Sequence, residues 1–297
     1  MKCAAKGEVF AYSKKEGVII RRGEEEIPTG ISANCLDFHP TQPFLALGTN
    51  RGVVVYDYSV NTWEEIPIAS DTRVERIRYT RNGEYIAVYT TDHVLTIAHA
   101  DTYFVLLSEK MPGMNIDIAN NLTYAIASML GGVFIVKNLL TGNRIALKQD
   151  SPYGVVLALS PEGEHIAVGR DGMLTVFDTV TGKRIHTLTP SGSLSGIAMV
   201  VYSGRYLFAC TYENELYVWE DCHLTGDYHL IGQSRVSSPY FCVNELGEVF
   251  TDRKEMVPCF SLEKCLLTHS GTFYRFVYTS FLRDPRVIEC IRKFLTT

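Results

Sequence analysis

Nowhere in the 297 residues does an apolar run approach the roughly 20 needed to cross a bilayer as a helix. Met1 to Lys6 also lack the apolar core of a secretion signal. A soluble intracellular protein is therefore expected, cytoplasmic, with the nucleus as the alternative. Closely spaced cysteine or histidine pairs of the Cys-x-x-Cys or His-x-x-x-His kind are missing, so no zinc site is expected. The eight cysteines (Cys3, Cys35, Cys210, Cys222, Cys242, Cys259, Cys265, Cys290) are scattered, and four of them fall inside apolar runs. They read as structural thiols rather than a disulfide framework. Nucleophile-elbow, phosphate-loop, dinucleotide and metal-protease motifs are absent. No catalytic residue, metal or cofactor is expected. A net charge of -5 argues against a general nucleic-acid binder, which needs a basic stripe to displace counterions.

What is present is a period. Short apolar runs end at Ser13, Asp57, Ala98, Lys137, Asp178, Glu220 and Ser261, at intervals of 44, 41, 39, 41, 42 and 41 residues. A period near 40 sustained along the chain marks a repeat architecture whose units bury their apolar faces against each other. The unit from Gly154 to Leu188 shows the grammar. Val155 to Leu159, His165 to Gly169, Met173 to Asp178 and Lys183 to Leu188 are apolar runs separated by Ser160-Pro161-Glu162-Gly163, Arg170-Asp171-Gly172 and Thr181-Gly182. These turn signals predict four antiparallel strands joined by hairpins. Nineteen residues before the second to seventh anchors lie Phe38, Tyr79, Ile118, Leu159, Val201 and Cys242, each inside a candidate first strand. Second strands are expected at Phe44 to Gly48, Tyr85 to Tyr89, Tyr124 to Ser128, His165 to Gly169, Tyr206 to Cys210 and Glu248 to Asp252. Fourth strands are expected at Glu64 to Ile68, Tyr103 to Leu107, Arg144 to Lys148, Arg184 to Leu188, Tyr228 to Ile231 and Cys265 to Thr268.

The first anchor has no complete unit before it. Lys2 to Lys6, Glu8 to Tyr12 and Val18 to Arg22 supply three strands, and Phe273 to Thr279 is a strand-like run left over at the other end. Pairing the two ends would close a ring without an open edge. The expectation is one all-β domain, a seven-bladed β-propeller of four-stranded antiparallel blades. Its closing blade joins 1–22 to 272–280, and the others span about 33–68, 73–108, 114–149, 154–189, 195–232 and 238–269. In the tail, 281–297, Asp284 and Pro285 form a helix-start signal ahead of Val287, Ile288, Ile291 and Leu295. A short helix covering the closing blade is expected there, the alternatives being a helix that docks a partner or a continuing strand of that blade.

Asp171-Gly172, Phe177-Asp178 and Thr181-Gly182-Lys183-Arg184, with fragments such as Tyr56-Asp57, Thr141-Gly142 and Trp219-Glu220, resemble the WD-repeat propellers. The likeness covers almost the whole chain, but no unit has a Trp-Asp pair and none opens with Gly-His. The buried His and Asp network of that family is accordingly expected to be mostly missing. The resemblance implies a noncatalytic interaction scaffold that binds a protein or peptide, as a subunit or adaptor of a larger complex.

Its binding face would be the loops entering each first strand and those linking second to third strands. Candidate residues are Asn34, Arg73, Asn115, Tyr153, Tyr240 and Tyr274 at strand starts, with Asn50, Arg51, Asp92, Arg170 and Asn214 in the hairpins. Arg73, Arg76, Arg78 and Arg81 surround one first strand, where Arg76 and Arg78 share a face as a solvated cluster or a phosphate or acidic-peptide site. Ile20-Arg21-Arg22-Gly23 is similar to the Phe-Arg-Arg-Gly or Leu-Arg-Arg-Gly motif of phosphoinositide-binding propellers. That likeness makes Arg21 and Arg22 lipid-headgroup candidates in an alternative reading. Asp37 and His39 share a strand face as a conceivable acid-base pair, the weaker case for a propeller enzyme with an axial site.

Overall fold

The computed structural model describes residues 3–7, 9–14, 16–113, 115–127, 133–148, 156–170, 172–189, 196–222, 227–236, 241–243, 248–251 and 260–261. Every regular element among them is a strand. Sheet 1 joins β1 (Cys3–Lys6), β2 (Val9–Lys14), β3 (Gly17–Arg22) and β4 (Glu25–Pro28). Sheet 2 joins β5 (Cys35–Phe38), β6 (Phe44–Gly48), β7 (Val53–Asp57) and β8 (Thr62–Ile66). Sheet 3 joins β9 (Val74–Tyr79), β10 (Tyr85–Thr90), β11 (Val94–His99) and β12 (Val105–Lys110). Sheet 4 joins β13 (Asn115–Ile118), β14 (Thr123–Ala127), β15 (Val133–Asn138) and β16 (Arg144–Lys148). Sheet 5 joins β17 (Val156–Leu159), β18 (His165–Arg170), β19 (Met173–Asp178) and β20 (Arg184–Leu188). Sheet 6 joins β21 (Ile197–Ser203), β22 (Tyr206–Thr211), β23 (Glu215–Cys222) and β24 (Asp227–Arg235). Sheet 7 shows β25 (Phe241–Val243), β26 (Glu248–Thr251) and β27 (Phe260–Ser261). All the pairings are antiparallel between consecutive strands.

Turn chemistry explains the hairpins. Asp178 Oδ1 accepts the N–H groups of Val180 and Thr181 at 3.1 and 2.6 Å, and Asn138 Oδ1 those of Leu140 and Thr141 at 3.0 and 2.8 Å. Gly142 and Gly182 follow at φ 71° and 70°, a conformation that costs glycine nothing. The Asp or Asn three residues ahead of Thr-Gly is therefore a turn cap.

Apolar side chains between the turns pack sheet against sheet. Buried clusters lie between each successive pair, as where Cys35, Ile66 and Ile68 of sheet 2 and its exit meet Val74, Ile77 and Ile86 of sheet 3. Each Leu or Ile so buried contributes about 1.5–3 kcal/mol. The first strands touch in the order β1, β5, β9, β13, β17, β21, β25, and β25 touches β1 again. Cys3 and Phe10 of sheet 1 bury Cys242 of sheet 7 at that last junction.

Sheet 1 departs from expectation. Its fourth strand is Glu25–Pro28, so residues 3–28 by themselves supply four strands of one sheet. Ser13 consequently lies inside β2, the second strand of its sheet, and Arg21 and Arg22 end β3, the third. Glu25 and Glu26 stand opposite Arg22 and Arg21 across the β3–β4 ladder. Opposite charges in such cross-strand pairs stabilise the strand. The runs Cys265 to Thr268 and Phe273 to Thr279, and the tail 281–297, lie outside the described residues.

Candidate functional site

At one end of the sheets, the linkers that enter first strands are tied to the hairpins between second and third strands. Asn34 donates its N–H to Gly48 O (2.7 Å), Val74 to Thr49 O (2.9 Å), Asp71 to Arg51 O (2.9 Å) and Thr91 to Arg73 O (3.0 Å). Val236 donates to Asn214 O at 2.9 Å in the same way. A buried phenol locks the next linker: Tyr89 Oη accepts the N–H of Gly113 at 2.8 Å and lies 2.9 Å from Met111 O. The loop backbones are thus held by the blades behind them.

This arrangement brings several expected site residues together. Asn34 Nδ2 donates to Asn50 Oδ1 at 3.0 Å, and Arg51 Nη2 lies 4.0 Å from Asp71 Oδ1, with these two side chains 86% and 88% exposed. Arg73 and Asp92 are exposed on the adjoining turns. Asn214 sits at φ 66° in the sheet 6 hairpin, and Arg170 ends β18 in sheet 5. Asn115 is not on the rim but lines the channel beneath it. Tyr153, Tyr240 and Tyr274 lie outside the described residues.

The first strands enclose two axial cavities. The one nearer this face has a volume of about 110 Å³ and is lined by Arg76, Arg78, Asn115 and apolar neighbours such as Leu157 and Met199. The other, about 390 Å³, lies toward the hairpins between first and second strands and includes Asp37, Arg78, Arg81, Asp117 and Tyr202. Asp37 Oδ2 accepts the N–H of Tyr79 at 2.9 Å, Asp117 Oδ2 that of Leu159 at 2.8 Å, and Arg78 Nε stands 3.9 Å from Asp117 Oδ1. Burial pushes both carboxyls above the usual Asp range, with Arg78 pulling each back. Burial opposes the charge on Arg78, and Asp37 and Asp117 more than offset that effect. At the far mouth, Arg81 Nη2 donates to Tyr202 O at 2.6 Å.

Sequence reasoning missed this charge alternation. Asp37, Arg78 and Asp117 each stand 20 residues before an anchor, so polar residues recurring at an inner-strand register were the available signal.

The suspected acid-base pair is structural. His39, 3% exposed, lies 3.0 Å from Gly83 O through Nε2 and accepts the N–H groups of Thr41 and Gln42 at Nδ1, while Asp37 serves Tyr79. A second polar network joins sheets 5 and 6. His165 Nδ1 lies 3.2 Å from Asp221 Oδ2 and 3.0 Å from Tyr228 Oη, which donates to Asp221 at 3.0 Å and meets Tyr202 Oη at 2.9 Å. Burial raises the pKa of both phenols, so they act as neutral hydrogen-bonding groups. One His and Asp network is therefore present, spanning two sheets.

The lipid candidates are engaged locally. Arg21 Nε donates to Gly23 O at 2.5 Å, and the Arg22 guanidinium lies 5.8 Å from the centroid of the Tyr58 ring. Among the described residues, no group of three or more His, Cys, Asp or Glu side chains could hold a metal, and no helix is long and apolar enough to cross a membrane.

The fold is that of the WD-repeat β-propellers, as the sequence resemblance implied. The chain superposes on the structure of U3-55K and on the RRP9 WD40 repeats, each with a TM-score of 0.67, 10% identity, and coverage of 86% of this chain and 88% of the other. It also superposes on the β-propeller domain of Cps50 (Swd1) from Myceliophteria thermophila with a TM-score of 0.61, at 15% identity, covering 73% of this chain and 78% of that one. In sequence it is 21% identical over 208 residues to COMPASS component SWD3 of Saccharomyces cerevisiae, spanning 65% of each protein. No protein-family model matches the chain.

Proposed function

We propose that the chain is a noncatalytic protein-interaction scaffold, a closed seven-bladed propeller that binds a protein or peptide on its hairpin-and-linker face. The observation that carries this reading is the exposed polar group Asn50, Arg51, Asp71, Arg73 and Asp92, presented by loops whose backbones are already fixed by hydrogen bonds. A prearranged surface binds with little ordering cost. The contact of β25 with β1 supports ring closure through packing between sheets 7 and 1.

The groups best suited to chemistry have structural duties. Burial pushes the Cys35 thiol up to about 12, His39 is held at both ring nitrogens, and Asp37 caps a strand of the next sheet. SWD3 is by its name a component of an assembly, and a role as a subunit or adaptor is proposed for this chain on that likeness. An intracellular location fits the buried free thiols of Cys3, Cys35, Cys210 and Cys242. The phosphoinositide alternative gains no support, because Glu25 and Glu26 stand opposite the two arginines.

The test is capture from an extract of the native cell on the immobilised full chain, with bound proteins quantified. Arg51→Ala combined with Arg73→Ala should weaken capture of a specific partner without lowering the melting temperature. Arg184→Ala, at an exposed site on β20, should leave capture intact. Equal capture by all three proteins would refute this face as the binding surface.

A further inference from the structure

We propose that the cavity beneath this face receives one acidic side chain, Asp or Glu, of the docked partner, with Arg76 as its counter-charge. This rests on the scaffold reading and adds the chemistry of the partner. Alternation along β9 turns Ile77 and Tyr79 into the sheet 2 and 3 core and leaves Arg76 and Arg78 on the other face. Both arginines line the 110 Å³ cavity, but their situations differ. Arg78 is balanced by Asp37 and Asp117.

Among the described residues, Arg76 has no carboxylate within ion-pair distance. Its hydrogen bond, from Nη1 to Glu75 O at 2.9 Å, engages one of five N–H donors. A half-buried guanidinium beside apolar walls, without a counter-charge, favours an incoming carboxylate. Val156, Leu157 and Met199 supply those walls, and Asn115 places an amide in the same lining.

Size decides the form of the ligand. Sites for whole small molecules run to about 300–1,000 Å³, whereas this cavity of about 110 Å³ suits a single protruding side chain. Its lining comes from the starts and middles of β5, β9, β13, β17 and β21, so entry is from the proposed interaction face.

The experiment selects peptides from a random displayed library on the intact chain. Selected peptides should share one Asp or Glu, and changing it to Asn or Gln should weaken binding at least tenfold. Arg76→Gln should weaken the parent peptide to the same extent yet bind the neutralised peptide as the native chain does, the signature of a direct pair. Arg76→Lys keeps the charge without the planar fork, and should fall between the two. It also supplies the cycle if Arg76→Gln fails to fold.

Peptides that lose binding with Arg51→Ala and Arg73→Ala but share no acidic residue would overturn the inference and leave the scaffold reading standing. Binding that requires a phosphorylated residue in place of the carboxylate would overturn it as well. Failure to select any peptide would count against both.

Discussion

The carboxylate of Asp37 on β5 accepts the backbone N–H of Tyr79 on β9, tying the innermost strand of sheet 2 to that of sheet 3 at 2.9 Å. Asp117 repeats the relation with Leu159 between sheets 4 and 5, at 2.8 Å. Arg78 stands between the two carboxylates and interacts with both. Neighbouring blades are thus joined by hydrogen bonds as well as by apolar packing.

Removing either clamp should cost stability. Asp37→Ala or Asp117→Ala strands a backbone N–H and should lower the unfolding free energy by about 1–3 kcal/mol each. The pH dependence has a definite sign. Burial raises both folded-state pKa values above the usual 3.8, so the folded state holds protons that the unfolded state has released. Stability from these groups therefore declines as pH rises from about 3.8 through the folded-state values, a loss that Asp37→Asn with Asp117→Asn should abolish. Urea denaturation at a series of pH values measures it, and an unchanged slope in the double variant would contradict the assignment.

His39 carries the opposite sign. Burial lowers its pKa below 6.5, against the pull of the Gly83 carbonyl, so the unfolded chain takes up its proton first as pH falls. Its contribution is present above about 6.5 and is lost as pH drops through the lowered folded-state value. His39→Ala should reduce stability by about 1–3 kcal/mol at neutral pH and flatten the profile on the acid side. Parallel unfolding curves for the two proteins from neutral to acid would show that the histidine is not buried neutral.

Tyr89→Phe deletes the hydroxyl that accepts the Gly113 N–H at 2.8 Å. About 1–3 kcal/mol of stability should go with it. Amide hydrogen exchange should rise first at Gly113 rather than in the sheet cores, since the ring of Tyr89 remains packed. Exchange that stays slow at Gly113 would mean that the linker is held by something else.

Gly169→Ala should be harmful although β18 is a regular strand. A Cβ there would lie 2.6 Å from Ile197 Cγ2 of sheet 6 and 2.8 Å from Val156 Cγ2 of sheet 5. Overpacking should cost about 1–3 kcal/mol. Gly182→Ala, on a turn, should be destabilising through its φ of 70° instead. A melting temperature for Gly169→Ala equal to that of the native chain would refute the close approach.

The strands of sheets 2 to 6 are legible in the sequence because each hairpin has its own turn chemistry. Asp178 with Thr181-Gly182 is an example, since the cap and the positive φ are both local properties. Sheet 1 is less legible: the strand Glu25–Pro28 has no apolar run and is specified by its partner strand, through Arg21 opposite Glu26 and Arg22 opposite Glu25. The fourth strand of sheet 3 starts at Val105 rather than Tyr103 because Tyr103 adopts φ 58°, with its hydroxyl on Glu64. At the candidate site, Arg73, Asn34 and Asn50 are placed by loop position alone. For Asp37, Arg78 and Asp117 the sequence carries the shared register, 20 residues before an anchor, but which of them meet depends on the juxtaposition of three sheets.

The bond from Arg81 to Tyr202 O spans 121 residues and links sheet 3 to sheet 6 across the axis. It acts as a crossbar over one mouth of the channel. A segment entering by that mouth would meet this bar before it reached Asp37, Arg78 and Asp117, whereas one entering from the opposite face would not.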